Sequence, residues 1–242
     1  MPGSALGVHI SANLTTVRRQ LEAATHRARR SSDSLRLIAV SKTFPVDAVV
    51  AAAAYGQLDF GENRVQEGLD KIALTADTHL IWHLIGHLQT NKARKAAAAF
   101  QWIHSIDSMD LLCKVAAGAA DAGTCPNILI QVDLAREHTK FGADVALVAD
   151  IAAAAVASPS VQLRGLMTVP PIATDPEEAR PWFAQLRQLR DSLVEQQIPA
   201  KALGELSMGM SHDFEVAVAE GATMVRVGTA IFGRRPSPEA GH

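Results

Sequence analysis

Leu35-Arg36-Leu37-Ile38-Ala39-Val40-Ser41-Lys42, followed at once by Thr43-Phe44-Pro45, is the stretch on which the fold turns. An apolar run of this length, closed by a proline, reads as a buried strand with an amine at its C-terminal tip. In an open, doubly wound sheet the turn after the first strand usually carries a glycine-rich phosphate fingerprint. Here that turn is Ser41-Lys42-Thr43-Phe44-Pro45 and holds no glycine, which favours a closed barrel. Alternation along the strand puts Lys42 on the face of Val40 and Ile38. Two readings of the amine follow. It leaves the strand and is solvated, or it stays partly desolvated and is suited to forming an imine with an aldehyde.

Alternation of strand and helix runs through the rest of the sequence. Upstream, Ile10, Leu14, Val17, Leu21 and Ala24 recur at helical spacing and predict a helix over about 7–30. Downstream of Pro45 the pattern predicts a helix closed at Gly56 and then strands at 58–62, 80–85, 102–106, 128–133, 163–169, 203–208 and 224–228. Helices are expected between them at 63–74, 91–99, 109–122, 145–157, 176–196 and 211–220. Eight strands, the first seven each followed by a helix, are the count of an α/β fold of the (β/α)8 TIM-type barrel with an extra N-terminal helix. Residues 1–242 are expected to form one domain, with the barrel over 35–233. The tail 234–242, rich in Pro, Ser, Gly and Ala, is too short for a second folded unit.

Composition narrows the class. A hydrophobic share of 48% supports a large core, while 20% charged residues and a net charge of −2 leave no basic footprint. Neither nucleic acid nor an anionic membrane is an expected partner. Cys113 and Cys125 are twelve residues apart and outside any CxxC pattern, which suits buried or incidental thiols in the reducing cytoplasm. The first residues lack a basic segment leading into an apolar one, and no apolar span is long enough to cross a bilayer.

In such a barrel the chemistry sits at the C-terminal ends of the strands. The polar residues there are Lys42, Glu62-Asn63-Arg64, His83 to His87, Ser105 to Asp107, Asp133, Thr168, Ser207 to Ser211, and Gly228-Thr229. The groups after strands 7 and 8 combine hydroxyls with glycines beside helix starts, which suits a phosphate. Ordinary turn and capping chemistry accounts for them equally well. Arg226 has the parity opposite to Val225 and Val227, so it faces the barrel if they face the helices. It then needs an acceptor, either a carboxylate or a ligand atom such as a ring nitrogen, and spacing alone favours the structural ion pair. His83 reads first as a hydrogen-bonded core residue, and with His87 it lacks the spacing of a metal site. Lys92 and Lys140 are expected to be solvated, or to draw an anionic ligand to the mouth. Arg27, Arg29 and Arg30 read as a solvated helix end.

Taken in order, several stretches resemble one family, the pyridoxal phosphate homeostasis proteins (the YggS/PROSC type), which are related to the alanine racemase N-terminal barrel. They are Ala39-Val40-Ser41-Lys42-Thr43, Phe60-Gly61-Glu62-Asn63-Arg64-Val65-Gln66-Glu67, the run from Trp82 to Lys92, Arg164-Gly165-Leu166-Met167, the run from Leu206 to Phe214, and the run from Met224 to Gly233. The resemblance extends from about residue 10 to 235. It implies that Lys42 forms the internal aldimine with pyridoxal 5'-phosphate (PLP) and that Ser207, Gly209, Gly228 and Thr229 help hold the phosphate. It also implies that Arg226 faces the pyridine nitrogen, which weakens the electron sink on which most PLP carbanion chemistry depends. Asn63 and His83 match positions near the cofactor. Ala135-Arg136-Glu137-His138 departs from the family pattern.

The resemblance implies an intracellular PLP carrier that buffers or delivers the cofactor, with apo PLP enzymes as recipients and a monomer or weak dimer as its state. A PLP-dependent amino-acid racemase is the alternative. Racemases of the related fold use a tyrosine from a separate β domain of a partner subunit. That domain is not expected here, and the only tyrosine, Tyr55, falls at the end of a predicted helix, away from the strand tips. A Schiff-base aldolase without PLP would use Lys42 but leave the phosphate grip unexplained.

Overall fold

A computed structural model describes residues 5–135 and 141–234. Lys140, most of the loop expected after the fifth strand, and tail residues 235–242 lie outside them. Eight strands follow one another around a closed barrel, each parallel to its neighbours: β1 (Arg36–Val40), β2 (Asp59–Glu62), β3 (Ile81–Leu84), β4 (Trp102–Ile106), β5 (Asn127–Gln131), β6 (Gln162–Met167), β7 (Glu205–Met210) and β8 (Met224–Val227). Closure is made by β8 against β1, in the register Ile38 to Arg226 and Ala39 to Val227. Helices α2 (Val46–Ala53), α3 (Val65–Leu74), α4 (Ala93–Ala99), α5 (Met109–Ala122), α6 (Val145–Ala157), α7 (Arg180–Glu195) and α8 (Phe214–Ala219) return the chain between strands.

Strand alternation divides the apolar residues into two sets. Ala39, Ile103, Leu166, Val225 and Val227 pack outward under the helices, while Ile38, Trp102, Leu129, Met167 and Met224 fill the barrel interior. Local signals end the helices where the sequence places them: Ser108 accepts from Leu111 N–H at the start of α5, and Gly123, at φ 66°, closes it. The extra helix α1 (Ala5–Arg27) packs against α2, α8 and the short α9 (Thr229–Phe232), across the seam where β8 meets β1. Its Ile10, Leu14, Val17, Leu21 and Ala24 are all buried, and each large one contributes about 1.5–3 kcal/mol. Arg27 is more than solvated, since it pairs with Glu215 of α8, and Arg30 donates to the carbonyl of Val218.

Three expectations are corrected. β7 begins two residues later than predicted because Ala200–Ala202 form a 3-10 turn capped by Leu203. The helix after it starts late because the Asp213 carboxylate accepts from Met210 N–H and holds Ser211 and His212 in a turn. A helical turn, α9, follows β8, where none is predicted. Both cysteines are free and exposed, which leaves the incidental of the two readings.

Candidate functional site at the C-terminal mouth

Lys42 follows β1 and is half-buried. The turn on either side of it is fixed by a buried ionic network. Lys71 Nζ donates to the Ser41 carbonyl at 2.8 Å, to Glu62 Oε1 at 2.7 Å and to Glu67 Oε1 at 2.9 Å. The Ser41 hydroxyl donates to Glu62 Oε1 at 2.6 Å, and Thr43 N–H donates to Glu67 Oε1 at 2.6 Å. Thr43 has φ 69°, a left-handed conformation that costs a non-glycine residue about 1 kcal/mol and is held here by the Glu67 bond. Burial pushes the fully buried Glu62 carboxyl up, against the hydrogen bonds of Lys71 and Ser41. Its Oε2 has no hydrogen-bond partner among the described residues. Sequence reasoning missed Lys71. The available signals were its i,i+4 spacing from Glu67 and its place between Gly68 and Thr75 on the buried face of α3.

Arg226 lies on the strand that neighbours Lys42's own and faces the interior, as its parity predicts. The expected ion pair is not there. Its Nη1 donates to Ser207 Oγ at 2.6 Å and its Nη2 to the Thr168 carbonyl at 2.9 Å, and no carboxylate of the described residues pairs with it. The guanidinium is almost wholly buried, and burial lowers its pKa to about 10, partly opposed by the charge of Asp213. Two of its five N–H donors are used in these bonds.

Below Arg226 a line of polar groups continues through the barrel. Ser207 Oγ is 3.0 Å from His104 Nδ1, His104 Nε2 is 3.0 Å from His83 Nδ1, and His83 Nε2 is 2.9 Å from Asp59 Oδ1. Arg36 Nη1 then binds Asp59 Oδ1 at 3.0 Å. His83 is thus a hydrogen-bonded core residue, stacked on Trp102 and one step removed from Ser207. Burial lowers both histidines, His104 further because the charges of His83, Arg226 and Arg36 add to it, whereas Asp59 pulls His83 back up. For Asp59, burial alone would raise the pKa, but His83 and Arg36 more than offset it and the net shift is downward. His104 and Asp59 were absent from the sequence reading. Parity with Trp102 on β4 would have placed His104 inside.

The remaining predicted residues separate into groups. Gly228 lies beside β1, where a Cβ would come within 3.2 Å of the Val40 carbonyl, and its N–H donates to Ser211 Oγ at 3.3 Å. Thr229 is exposed next to it. Ser207 is not brought to this corner, because its hydroxyl is buried and engaged by Arg226 and His104. Gly209, at φ 92°, faces α8, where a Cβ would lie 2.6 Å from that of Ala217. Asn63 is half-buried after β2, and its backbone packs so close to Gly86 that a Cβ there would lie 2.3 Å from the Asn63 carbonyl. Lys92 is exposed. Across the mouth, Phe141 stacks on His87 with ring centroids 3.6 Å apart, beside a cleft of about 220 Å³ lined by Gln131, Asp133 and Met167. A larger cleft of about 380 Å³ opens at the other end of the barrel, near Arg36, Asp59 and Glu205. The strand-end chemistry, rather than volume, marks the site.

The barrel and the residues at its strand tips define the class: the family described as "Alanine racemase, N-terminal domain" matches residues 13–236. Within that class, the pyridoxal phosphate homeostasis protein of Aquifex aeolicus is 40% identical over 222 residues, covering 92% of this chain and 96% of that protein. The Escherichia coli (strain K12) protein of the same name is 41% identical over 229 residues, covering 93% and 97%. PipY of Synechococcus elongatus, in a structure with PLP bound, superposes with a TM-score of 0.82 at 43% identity, over 93% of this chain and all of that one. The chain belongs to the pyridoxal phosphate homeostasis protein family.

Proposed function

We propose that this protein binds PLP at the C-terminal mouth of the barrel and serves intracellular PLP homeostasis, by buffering or delivering the cofactor with little or no turnover of amino acids. The observation that carries the reading is Arg226. A buried guanidinium whose described partners are neutral oxygens has donors and charge to offer an anionic or ring-nitrogen acceptor, and PLP has both. The residues fit the group in other respects. Lys42 stands just past the adjacent strand, in a turn fixed by Lys71 and Glu67, and Gly228 with Ser211 and Thr229 forms a corner of N–H and hydroxyl groups suited to a phosphate.

When bound, PLP supplies an aldehyde that captures amines and a ring that withdraws electrons most strongly when its nitrogen is protonated. In this reading Lys42 is the amine that takes the aldehyde. Gly228, Thr229 and Ser211 hold the phosphate, Gly209 shapes the strand end beside them, and Asn63 borders the pocket. Ser207 and His83 act through Arg226. Arg226 can only donate, so it holds the ring nitrogen as an acceptor and mutes the electron sink. Tyr55 lies between α2 and β2, at the end of the barrel opposite Lys42, which removes the sequence's one tyrosine as a second base. We also read the chain as one barrel domain, cytoplasmic and monomeric or weakly paired. Its two free thiols accord with a reducing compartment, and no helix among the described residues is long and apolar enough to cross a membrane.

Borohydride reduction of PLP-loaded protein followed by peptide mapping tests the assignment. Pyridoxyl is expected on Lys42, and label confined to other lysines overturns it. Transfer of PLP from the loaded protein to a purified apo PLP enzyme separates delivery from storage. Racemisation at the rate of a dedicated racemase, lost in Lys42→Ala, would replace the carrier reading.

A further inference from the structure

The polar line through the barrel has a direction, and both of its ends dictate the same one. Asp59, as a carboxylate paired with Arg36, only accepts, so His83 Nε2 must carry a proton. In a neutral ring His83 Nδ1 then accepts, which puts a proton on His104 Nε2. His104 Nδ1 therefore accepts as well, and the donor facing it among the described residues is the Ser207 hydroxyl. From the opposite end, Arg226 only donates, so Ser207 Oγ accepts from it and has one proton left to give, to His104. The two deductions meet with no donor facing a donor.

We infer that His104 and His83 are positioning residues for the cofactor pocket: they commit the Ser207 hydroxyl downward, leave its oxygen to Arg226, and so fix how that guanidinium is presented to the ring of PLP. The inference rests on the assignment of Arg226 as the ring's partner. Ser207 and the Thr168 carbonyl hold the two terminal nitrogens of Arg226 separately, so the group cannot pivot while Ser207 is locked. With an apolar side chain at position 104, the hydroxyl would lose its acceptor. It could then turn its proton toward Arg226, where donor would meet donor. The charged groups around the line are Arg36, Asp59, Glu205 and Arg226, with Asp213 acting on Arg226 from β7's far end. Burial disfavours the charged form of both rings, helped by Arg36 at each and by Arg226 at His104 and opposed by Asp59 at His83, which is the sense the deduced direction requires.

The test has two arms. In cofactor-free wild-type protein near neutral pH, long-range ¹H–¹⁵N correlation of the histidine side chains should show His83 and His104 both as the Nε2–H tautomer. An Nδ1–H tautomer at His104, or a doubly protonated ring, overturns the inference. In protein loaded with PLP labelled at the pyridine nitrogen, His104→Leu should displace the ¹⁵N resonance and speed cofactor loss about tenfold, the scale of one lost buried hydrogen bond. His104→Asn, which keeps an acceptor for Ser207, should restore both. A folded His104→Leu protein with an unmoved pyridine resonance reduces His104 to a structural residue and also overturns the inference. Should the leucine variant not fold, the tautomer arm decides alone. Should wild type take up no PLP, the proposed function fails while that arm still judges the relay.

Discussion

Mild acid should destabilise this protein through the two histidines inside its barrel. Burial holds His104 well below the usual imidazole range and His83 below it, whereas in the unfolded chain each returns to about 6.5. Between the two values the unfolded state binds a proton that the folded state refuses. The stabilisation is therefore complete above the unfolded pKa and falls as pH drops toward the folded one. For a ring whose folded pKa lies below the window, going from about pH 7.5 to about pH 5.5 removes roughly 1.4 kcal/mol, and for two rings roughly 2.7 kcal/mol. His104, held lower, should contribute more than His83, and the two-ring figure is the ceiling, a sizeable part of a typical 5–15 kcal/mol. Asp59, with its lowered pKa, gives up its own contribution only at lower pH. Glu62, with a raised pKa, acts in the opposite sense as it takes up its proton. Urea midpoints of wild type and a His83→Phe/His104→Leu double variant across this range isolate the two rings together with Asp59, whose lowered pKa depends on His83, because the titrating groups that neither ring touches cancel in the difference. Parallel pH dependences would refute the reasoning.

Two further perturbations probe the frame around the site. Lys71→Met should cost about 3 kcal/mol, since it leaves Glu62 buried without its cation, and should slow PLP capture by releasing the Ser41 carbonyl. A loss under about 1 kcal/mol in urea titrations would show that the network is not what fixes the turn. Gly165→Ala would put a Cβ 1.8 Å from the Glu205 carbonyl, so a loss of about 3 kcal/mol or more is expected, because the β6–β7 backbones must part. A thermal midpoint close to wild type would contradict that packing.

The barrel was legible because its evidence is local. Periodicity, caps and proline or glycine stops place β4, α5 and α6 at their observed bounds. What failed depends on contacts that no local pattern encodes. Against β8, β7 carries one extra residue between Ser207 and Met210. Ser207 falls inside β7, where its hydroxyl meets Arg226 and His104, while Ser211 is the hydroxyl beside Gly228. Parity places Arg226 inside the barrel, and it survives wherever a strand has no bulge. Lys71 was missed because a lysine on a helix is ordinarily solvent-facing. Only the meeting of Glu62 and Glu67 from different elements makes its burial tolerable.

The interior polar line shows why residue-by-residue odds mislead in this fold. His83 alone is best read as a core histidine, and Arg226 alone as half of an ion pair. Placed on one lumen, the two are parts of a single structure in which an arginine is satisfied by a hydroxyl because that hydroxyl is satisfied by a histidine. The carboxylate expected beside Arg226 exists, but as Asp59 at the far end of the barrel, three side chains away. Separation matters for the proposed chemistry. A carboxylate in direct contact would neutralise the guanidinium and occupy donors meant for a ligand. At a distance, Asp59 orders the intervening dipoles while Arg226 keeps its charge and its unused N–H groups for the pocket.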